Sequence, residues 1–314
     1  MKILGTGSAV PQLEVSNDML SQMMDTNDEW IRTRTGIRSR RVLSSETLTD
    51  IAVLAAKRSI EQSGVAISDI DYILCHNIIN NAIIPSLASI IARELNAKCP
   101  TLDLNSACTG FLYSLDMAEA LIKCGKAKKI LIVCAEQASH FVDWTKRETC
   151  VLFGDAAGSV VVGEGGEDYV VQLGTQWTDA LYAPCSANKT PFQEIGSNEP
   201  YLYMRGRDVF KMAVLNSIAD IRKVVEKSEF QMGDVKYFLL HQANIRILDV
   251  IKKDLQLSEE SLPHNIEKYG NTSSASVPLL MDEMNREGKF KEGDVIVLSA
   301  FGAGFTSGAV LLKW

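Results

Sequence analysis

The chain has 314 residues, 46% of them hydrophobic and 23% charged, with a formal net charge of -7. That length buries a large core, as one big domain or two fused halves, and the acidic balance argues against a general nucleic-acid binder. Residues 1–10 hold too short an apolar run for a secretory leader, and no window approaches a membrane span, so neither leader nor membrane insertion is expected. Seven cysteines stand singly with no CxxC pair, as reduced thiols do in a cytosolic compartment. In that compartment the sequons Asn188-Lys189-Thr190 and Asn271-Thr272-Ser273 are incidental. In chain order, periodicity predicts a helix over 46–63 with Ile51, Leu54, Ala55 and Arg58 on one face, then a buried strand over 71–75. A helix over 86–95, a strand over 101–104, a helix over 109–124 and a strand over 129–134 follow. This alternation predicts a layered α/β fold.

An internal repeat divides the chain. Ala52-Val53-Leu54 opens a helix leading to Asp69 through His76, and Ala213-Val214-Leu215 opens another leading to Asp234 through His241. Gly125-Lys126 precedes one strand, and Gly288-Lys289 precedes the strand over 295–299. Chance likeness between two α/β stretches is the competing reading, but the ordered pairing of several segments favours duplication. The expected halves are 1–168, with the nucleophile, and 169–314, with a His and an Asn, meeting where their strand ends face each other.

Cys108 stands apart from the other cysteines. Strand 101–104 is followed by Asn105-Ser106-Ala107, then Cys108-Thr109-Gly110-Phe111 and a helix. Small residues permit a tight turn, and the helix N-terminus is expected to lower the thiol pKa and favour the nucleophilic thiolate. A packed core cysteine is the plain alternative. His241 follows the apolar run 237–240, at the strand end where α/β folds bind ligands; a satisfied interior His fits equally, and His76 occupies the equivalent place in the first half. Asn271 lies in Tyr269-Gly270-Asn271-Thr272-Ser273-Ser274-Ala275-Ser276, a loop of hydrogen-bonding residues before a helix with Pro278 in its first turn. Phe301-Gly302-Ala303-Gly304-Phe305 separates strands 295–299 and 306–312, and its glycines permit close backbone approach.

Taken in order, these segments, with Gly5-Thr6-Gly7-Ser8, Asp28-Glu29-Trp30-Ile31-Arg32-Thr33-Arg34-Thr35-Gly36-Ile37, Phe153-Gly154-Asp155 and His241-Gln242-Ala243-Asn244, resemble the β-ketoacyl-acyl-carrier-protein synthase III family of the thiolase superfamily. The resemblance covers nearly the whole chain. It implies a five-layered αβαβα thiolase fold, a homodimer, and a Cys108, His241, Asn271 triad. Cys108 would take an acyl group, acetyl by default, from acyl-coenzyme A. His241 and Asn271 would polarise the thioester oxygen of malonyl-acyl carrier protein as it loses carbon dioxide. The backbone amides of Cys108 and Ala303 would form the oxyanion hole, Ala303 replacing a frequent glycine. Coenzyme A would meet Trp30, Arg34, Thr35, Arg147, Gly206 and Asn244, its adenine stacking between Trp30 and Arg147. The acidic carrier protein would dock on Lys211, Arg246, Lys252 and Lys253. Ile84, reaching across the dimer, would shape the acyl pocket with Phe153 and Phe301. The resemblance implies no metal and no cofactor beyond the two thioester substrates. A relative using an unusual primer in a secondary pathway, and a silent thiolase-fold scaffold, are the competing readings; the intact triad argues against the scaffold.

Overall fold

A computed structural model describes residues 1–166, 168–184 and 201–314. Cys185 and the Asn188 sequon lie outside these residues. The first half opens with β1 (Lys2–Ala9), then an antiparallel pair, β2 (Leu13–Ser16) and β3 (Ser39–Val42), which brackets α1 (Asn17–Ser21) and α2 (Asp28–Thr35). Asn27 caps α2 by accepting from Trp30 N–H, acidic residues fill the first turn, and Gly36 at φ 83° ends it. Then follow α3 (Leu48–Ser63), β4 (Tyr72–His76), α4 (Leu87–Leu95), β5 (Thr101–Leu104), α5 (Gly110–Lys123), β6 (Lys129–Gln137), α6 (Arg147–Cys150) and β7 (Asp155–Gly163). The expected 46–63 helix starts at Leu48 because Thr47 and Asp50 form a capping box ahead of it.

The second half runs β8 (Tyr169–Thr178), β9 (Leu181–Tyr182), β10 (Tyr203–Met204), α7 (Gly206–Glu226), β11 (Val235–Leu240), α8 (Ile245–Asp254), α9 (Ile266–Tyr269), α10 (Ser276–Arg286), β12 (Val295–Gly302) and β13 (Gly304–Lys313). One sheet has the order β1-β7-β6-β4-β5 and the other β8-β13-β12-β11. In the first sheet β4 runs parallel to both β6 and β5, in the second β11 runs parallel to β12, and the remaining neighbours pair antiparallel. The segments paired in the sequence repeat thus occupy matching places in the two sheets.

Five layers result. Leu112 and Leu115 of α5 and Leu279 and Leu280 of α10 pack between the sheets, against Leu74, Ile132, Leu298 and Val310. Alternate residues of the same strands, Ile73, Leu131 and Val133, face outward onto α3 and α4, while Phe238, Val297 and Leu311 face α7 and α8. Strands buried on both faces are apolar without interruption, which is why they read so clearly. Each of the central leucines contributes about 1.5–3 kcal/mol by burial. β1 lies so close to α3 that a Cβ on Gly7 would fall 2.3 Å from Ala55 O. Among the described residues no helix is long and apolar enough to cross a membrane.

Candidate active site

The central layer places both helix N-termini at one seam. After β5, Asn105 Oδ1 accepts from Ala107 N–H at 3.1 Å, and Ala107 adopts φ 52°. A left-handed non-glycine residue costs about 1–2 kcal/mol, so the surroundings must hold this turn. Its clamps come from the turn itself and from the other half. The Thr306 and Thr109 hydroxyls lie 3.0 Å apart and reach Ser106 O at 3.1 and 2.6 Å. Gly302 approaches so closely that a Cβ there would stand 2.6 Å from Cys108 N. Ser273 Oγ–H points at Cys108 Sγ from 3.4 Å.

His241 follows β11, its backbone N–H bonded to Ser299 O at 2.8 Å. Its Nδ1 lies 2.7 Å from Ser276 Oγ, and its ring meets Phe301 edge-on at 5.2 Å. Asn271 is bound through its backbone on both sides, N–H to Leu152 O at 2.8 Å and C=O from Gly154 N–H at 3.0 Å. Its Oδ1 accepts from Ser273 N–H at 2.9 Å. That bond fixes the carboxamide orientation and leaves the Nδ2 hydrogens for the cavity.

Cys108, His241 and Asn271 all line a cavity of about 610 Å³, together with Ala303, Gly206, Asn244, Phe153 and Phe301. The left-handed position in the glycine loop falls on Gly304 (φ 113°), and Ala303 is not among the non-glycine residues of positive φ. Alanine therefore stands in place of the frequent glycine without needing a left-handed backbone. Sequence reading missed most of the apolar wall, including Phe141, Trp177, Leu181, Leu202, Met204 and Phe210. These come from segments whose apolar residues look like any other core.

Electrostatics correct one expectation. Burial pushes the Cys108 thiol up to about 12, the Ser273 hydroxyl opposing and the Glu136 carboxylate adding to the rise. Desolvation outweighs the helix N-terminus, and the resting group is a thiol. Burial also takes His241 down to about 3, so its imidazole is neutral throughout the physiological range.

The remaining expected ligand groups lie away from the cavity lining. Trp30 packs against the buried cluster that includes Ile31, Ile37 and Phe153, with the guanidinium carbons of Arg34 and Arg147 at 4.7 and 4.8 Å from its ring centroid. A base stacking between Trp30 and Arg147 must therefore displace a guanidinium that rests on the indole itself. Thr35 is buried, its hydroxyl donating to Ile31 O at 2.7 Å and accepting from Ile37 N–H at 3.1 Å, so it serves the end of α2. Lys211, Arg246 and Lys253 are exposed, while Lys252 is partly buried and paired with Glu259 and Asp249. Arg246 donates to Thr33 O at 2.9 Å. Ile84 stands 85% exposed and touches no part of its own chain's cavity.

A five-layered molecule with a cysteine turn at the seam of two matching sheets is a condensing acyltransferase of the thiolase fold. Residues 102–179 match the family model described as 3-oxoacyl-[acyl-carrier-protein (ACP)] synthase III, and residues 225–314 match that described as its C-terminal part. The chain is 42% identical to the beta-ketoacyl-[acyl-carrier-protein] synthase III of Clostridium acetobutylicum, covering 100% of this chain and 98% of that protein. It is 43% identical to the protein of the same name from Oceanobacillus iheyensis, over 99% and 98%. The crystal structure of 3-oxoacyl-[acyl-carrier-protein] synthase III from Aquifex aeolicus superposes with a TM-score of 0.93 at 38% identity, covering 100% of this chain and 99% of that one. The chain belongs to the 3-oxoacyl-acyl-carrier-protein synthase III family.

Proposed function

We propose that this enzyme joins an acyl group from acyl-coenzyme A to malonyl-acyl carrier protein by decarboxylative Claisen condensation, opening type II fatty acid synthesis. The observation that carries the reading is the convergence of Cys108, His241 and Asn271, from two halves of the chain, on one apolar cavity. Cys108 sulfur attacks the acyl thioester; its proton passes through Nε2 of His241 to the departing coenzyme thiolate. Malonyl thioester then loses carbon dioxide, and its bond electrons form an enolate whose oxygen is held by N–H groups of His241 and Asn271. Donors aimed at developing charge in a dry site each lower a barrier by about 3–4 kcal/mol. The enolate carbon attacks the acyl-Cys108 carbonyl, whose oxyanion the Cys108 and Ala303 amides receive. Collapse expels Cys108 thiolate, which takes up a proton.

Coenzyme A is assigned to Trp30, Arg34, Arg147, Gly206 and Asn244, and the carrier protein to the face of Lys211, Arg246 and Lys253 with Lys252 at its edge. The two halves are assigned to 1–168 and 169–314, and the enzyme to the cytoplasm as a homodimer, in keeping with free thiols at the six described cysteines. β5 is a sheet edge with Leu102 44% exposed, and Ile83 and Ile84 are 96% and 85% exposed, which fits burial of this side against a second copy.

Incubation with a panel of acyl-coenzymes, then malonyl-carrier protein or malonyl-coenzyme A, tests the reading. Intact mass should show one acyl adduct, lost in Cys108→Ala, that the carrier-bound extender discharges as a 3-oxoacyl product. No adduct overturns the enzyme reading; a bulky primer with no use of carrier protein points to a secondary pathway.

A further inference from the structure

The registers of the two sheets pair individual residues between the halves. Tyr72 lies opposite Ile130 in one sheet and Tyr237 opposite Ile296 in the other, so His76, four residues past Tyr72, is the counterpart of His241, four past Tyr237. The turn Ala107–Thr109 runs into α5, and the turn Ser273–Ala275 runs into α10. Both open on a left-handed residue, Ala107 at φ 52° and Ser273 at φ 53°. Their middle residues, Cys108 and Ser274, are counterparts in turn. The mates of the nucleophile and of the histidine meet on Glu136.

Glu136 of β6 and His76 are both fully buried. Glu136 Oε1 accepts from Ser274 Oγ at 2.5 Å and lies 3.1 Å from His76 Nδ1, while Oε2 accepts from Ile78 N–H at 3.2 Å. Across the ring, Ser106 N–H donates to His76 Nε2 at 2.9 Å. That nitrogen therefore holds a lone pair, and the proton of a neutral ring sits on Nδ1, facing the carboxylate. The ring also lies against the start of α5, where a Cβ on Gly110 would come within 2.0 Å of its Cδ2.

We propose that the His76–Glu136–Ser274 chain is a positioning device with two ends, His76 holding the Cys108 turn through Ser106 and Gly110 and Ser274 holding the Asn271 loop, both anchored on Glu136. This rests on the roles given above to Cys108 and Asn271. Each end of the chain serves its own loop, the nucleophile turn at His76 and the extender loop at Ser274. The titratable groups around the Glu136 carboxylate are His76, Cys75, Cys134, Asp155 and Cys108. Its charge adds to burial in raising the last four.

The test separates the two half-reactions in the full-length enzyme. Acylation of Cys108 by acyl-coenzyme A is followed by intact mass, and malonyl decarboxylation by carbon dioxide release. His76→Ala, which orphans Ser106 N–H, is expected to slow acylation about tenfold or more while decarboxylation stays within about threefold. Ser274→Ala should give the opposite split. His76→Gln, with one amide donor and one acceptor, should restore most of the acylation rate. Glu136→Gln should shift the pH dependence of Cys108 alkylation downward. Equal slowing of both half-reactions in His76→Ala and Ser274→Ala, or no slowing, overturns the proposal. If His76→Ala does not fold, Ser274→Ala, which removes one oxygen atom, decides alone: a split toward decarboxylation supports the device and an equal loss overturns it. A wild-type enzyme that takes no acyl group on Cys108 overturns the functional reading instead, so the two failures are distinct.

Discussion

Ser276 Oγ lies 2.7 Å from His241 Nδ1 and 3.4 Å from the backbone N–H of Gln242. An oxygen that accepts from Gln242 has its own hydrogen free to donate to Nδ1, which puts the ring proton on Nε2, on the side of the extender. A hydroxyl can also rotate and accept from Nδ1–H, leaving Nε2 as a base. The proposed cycle uses both forms, one to carry the proton from Cys108 and one to polarise malonyl.

Ser276→Ala takes away this partner in either form. Leaving a buried ring nitrogen unpaired costs about 1–3 kcal/mol. Decarboxylation and acylation should then both fall, by roughly 5- to 150-fold, while Ser276→Thr retains most of each rate. Single-turnover measurement of each half-reaction checks this. Unchanged rates in Ser276→Ala would show that the hydroxyl does not govern the tautomer.

The thiol's rise to about 12 makes a second prediction. Only thiolate alkylates, so iodoacetamide should modify Cys108 of the free enzyme about tenfold faster per pH unit, with no plateau below pH ~10. Mass spectrometry of the Cys108 peptide gives the rate. A plateau near neutrality would mean that the start of α5 acidifies the sulfur more than burial opposes it.

The layered fold was legible because strands buried on both faces read as unbroken apolar runs between helical patterns; the capping box at Thr47 and Asp50 went unread, so the helix expected from 46 begins at Leu48. The repeat was legible because four strands keep the same order in both sheets, β1-β7-β6-β4 matching β8-β13-β12-β11. The face of α3 was not: Leu54 is exposed, and Ala52, Ala55, Ala56 and Ser59 are buried, because β1 brings glycines against it and only small side chains fit. Cys108, His241 and Asn271 stood out in their loops but were joined as a triad only by the family resemblance, and no local pattern reports the desolvation that opposes the expected pKa shift. Thr35 was placed near coenzyme A by the family resemblance alone, and no sequence pattern showed that its hydroxyl bonds to Ile31 and Ile37 at the end of α2. The buried His76–Glu136 pair is separated by 60 positions, beyond any local reading.

The glycine loop separates a demand for space from a demand for backbone freedom. At Gly302 the added Cβ would meet Cys108 N at 2.6 Å, a backbone atom that cannot turn aside. Gly302→Ala should displace the nucleophile turn and slow Cys108 acylation about 100-fold, since a misplacement near 1 Å has that effect. Ala303→Gly should leave the rate within about twofold, because the left-handed φ belongs to Gly304. Acylation followed by intact mass compares the two. A normal Gly302→Ala rate would show that the turn shifts without consequence.

His241 also makes stability depend on acidity. Its pKa is about 3 in the folded protein and 6.5 in the unfolded reference. Between those values the unfolded chain binds more protons, so stability rises with pH and is lost as pH falls below about 6.5. At pH 4.5 the difference from neutrality amounts to about 2–3 kcal/mol from this group alone. His241→Asn keeps a polar side chain but cannot titrate. Urea midpoints at pH 7.5 and 4.5 should therefore fall further in the wild type than in His241→Asn, by about 2 kcal/mol once multiplied by the denaturant slope. Equal falls in the two proteins would show that His241 charges in place, reached by water through the cavity it lines.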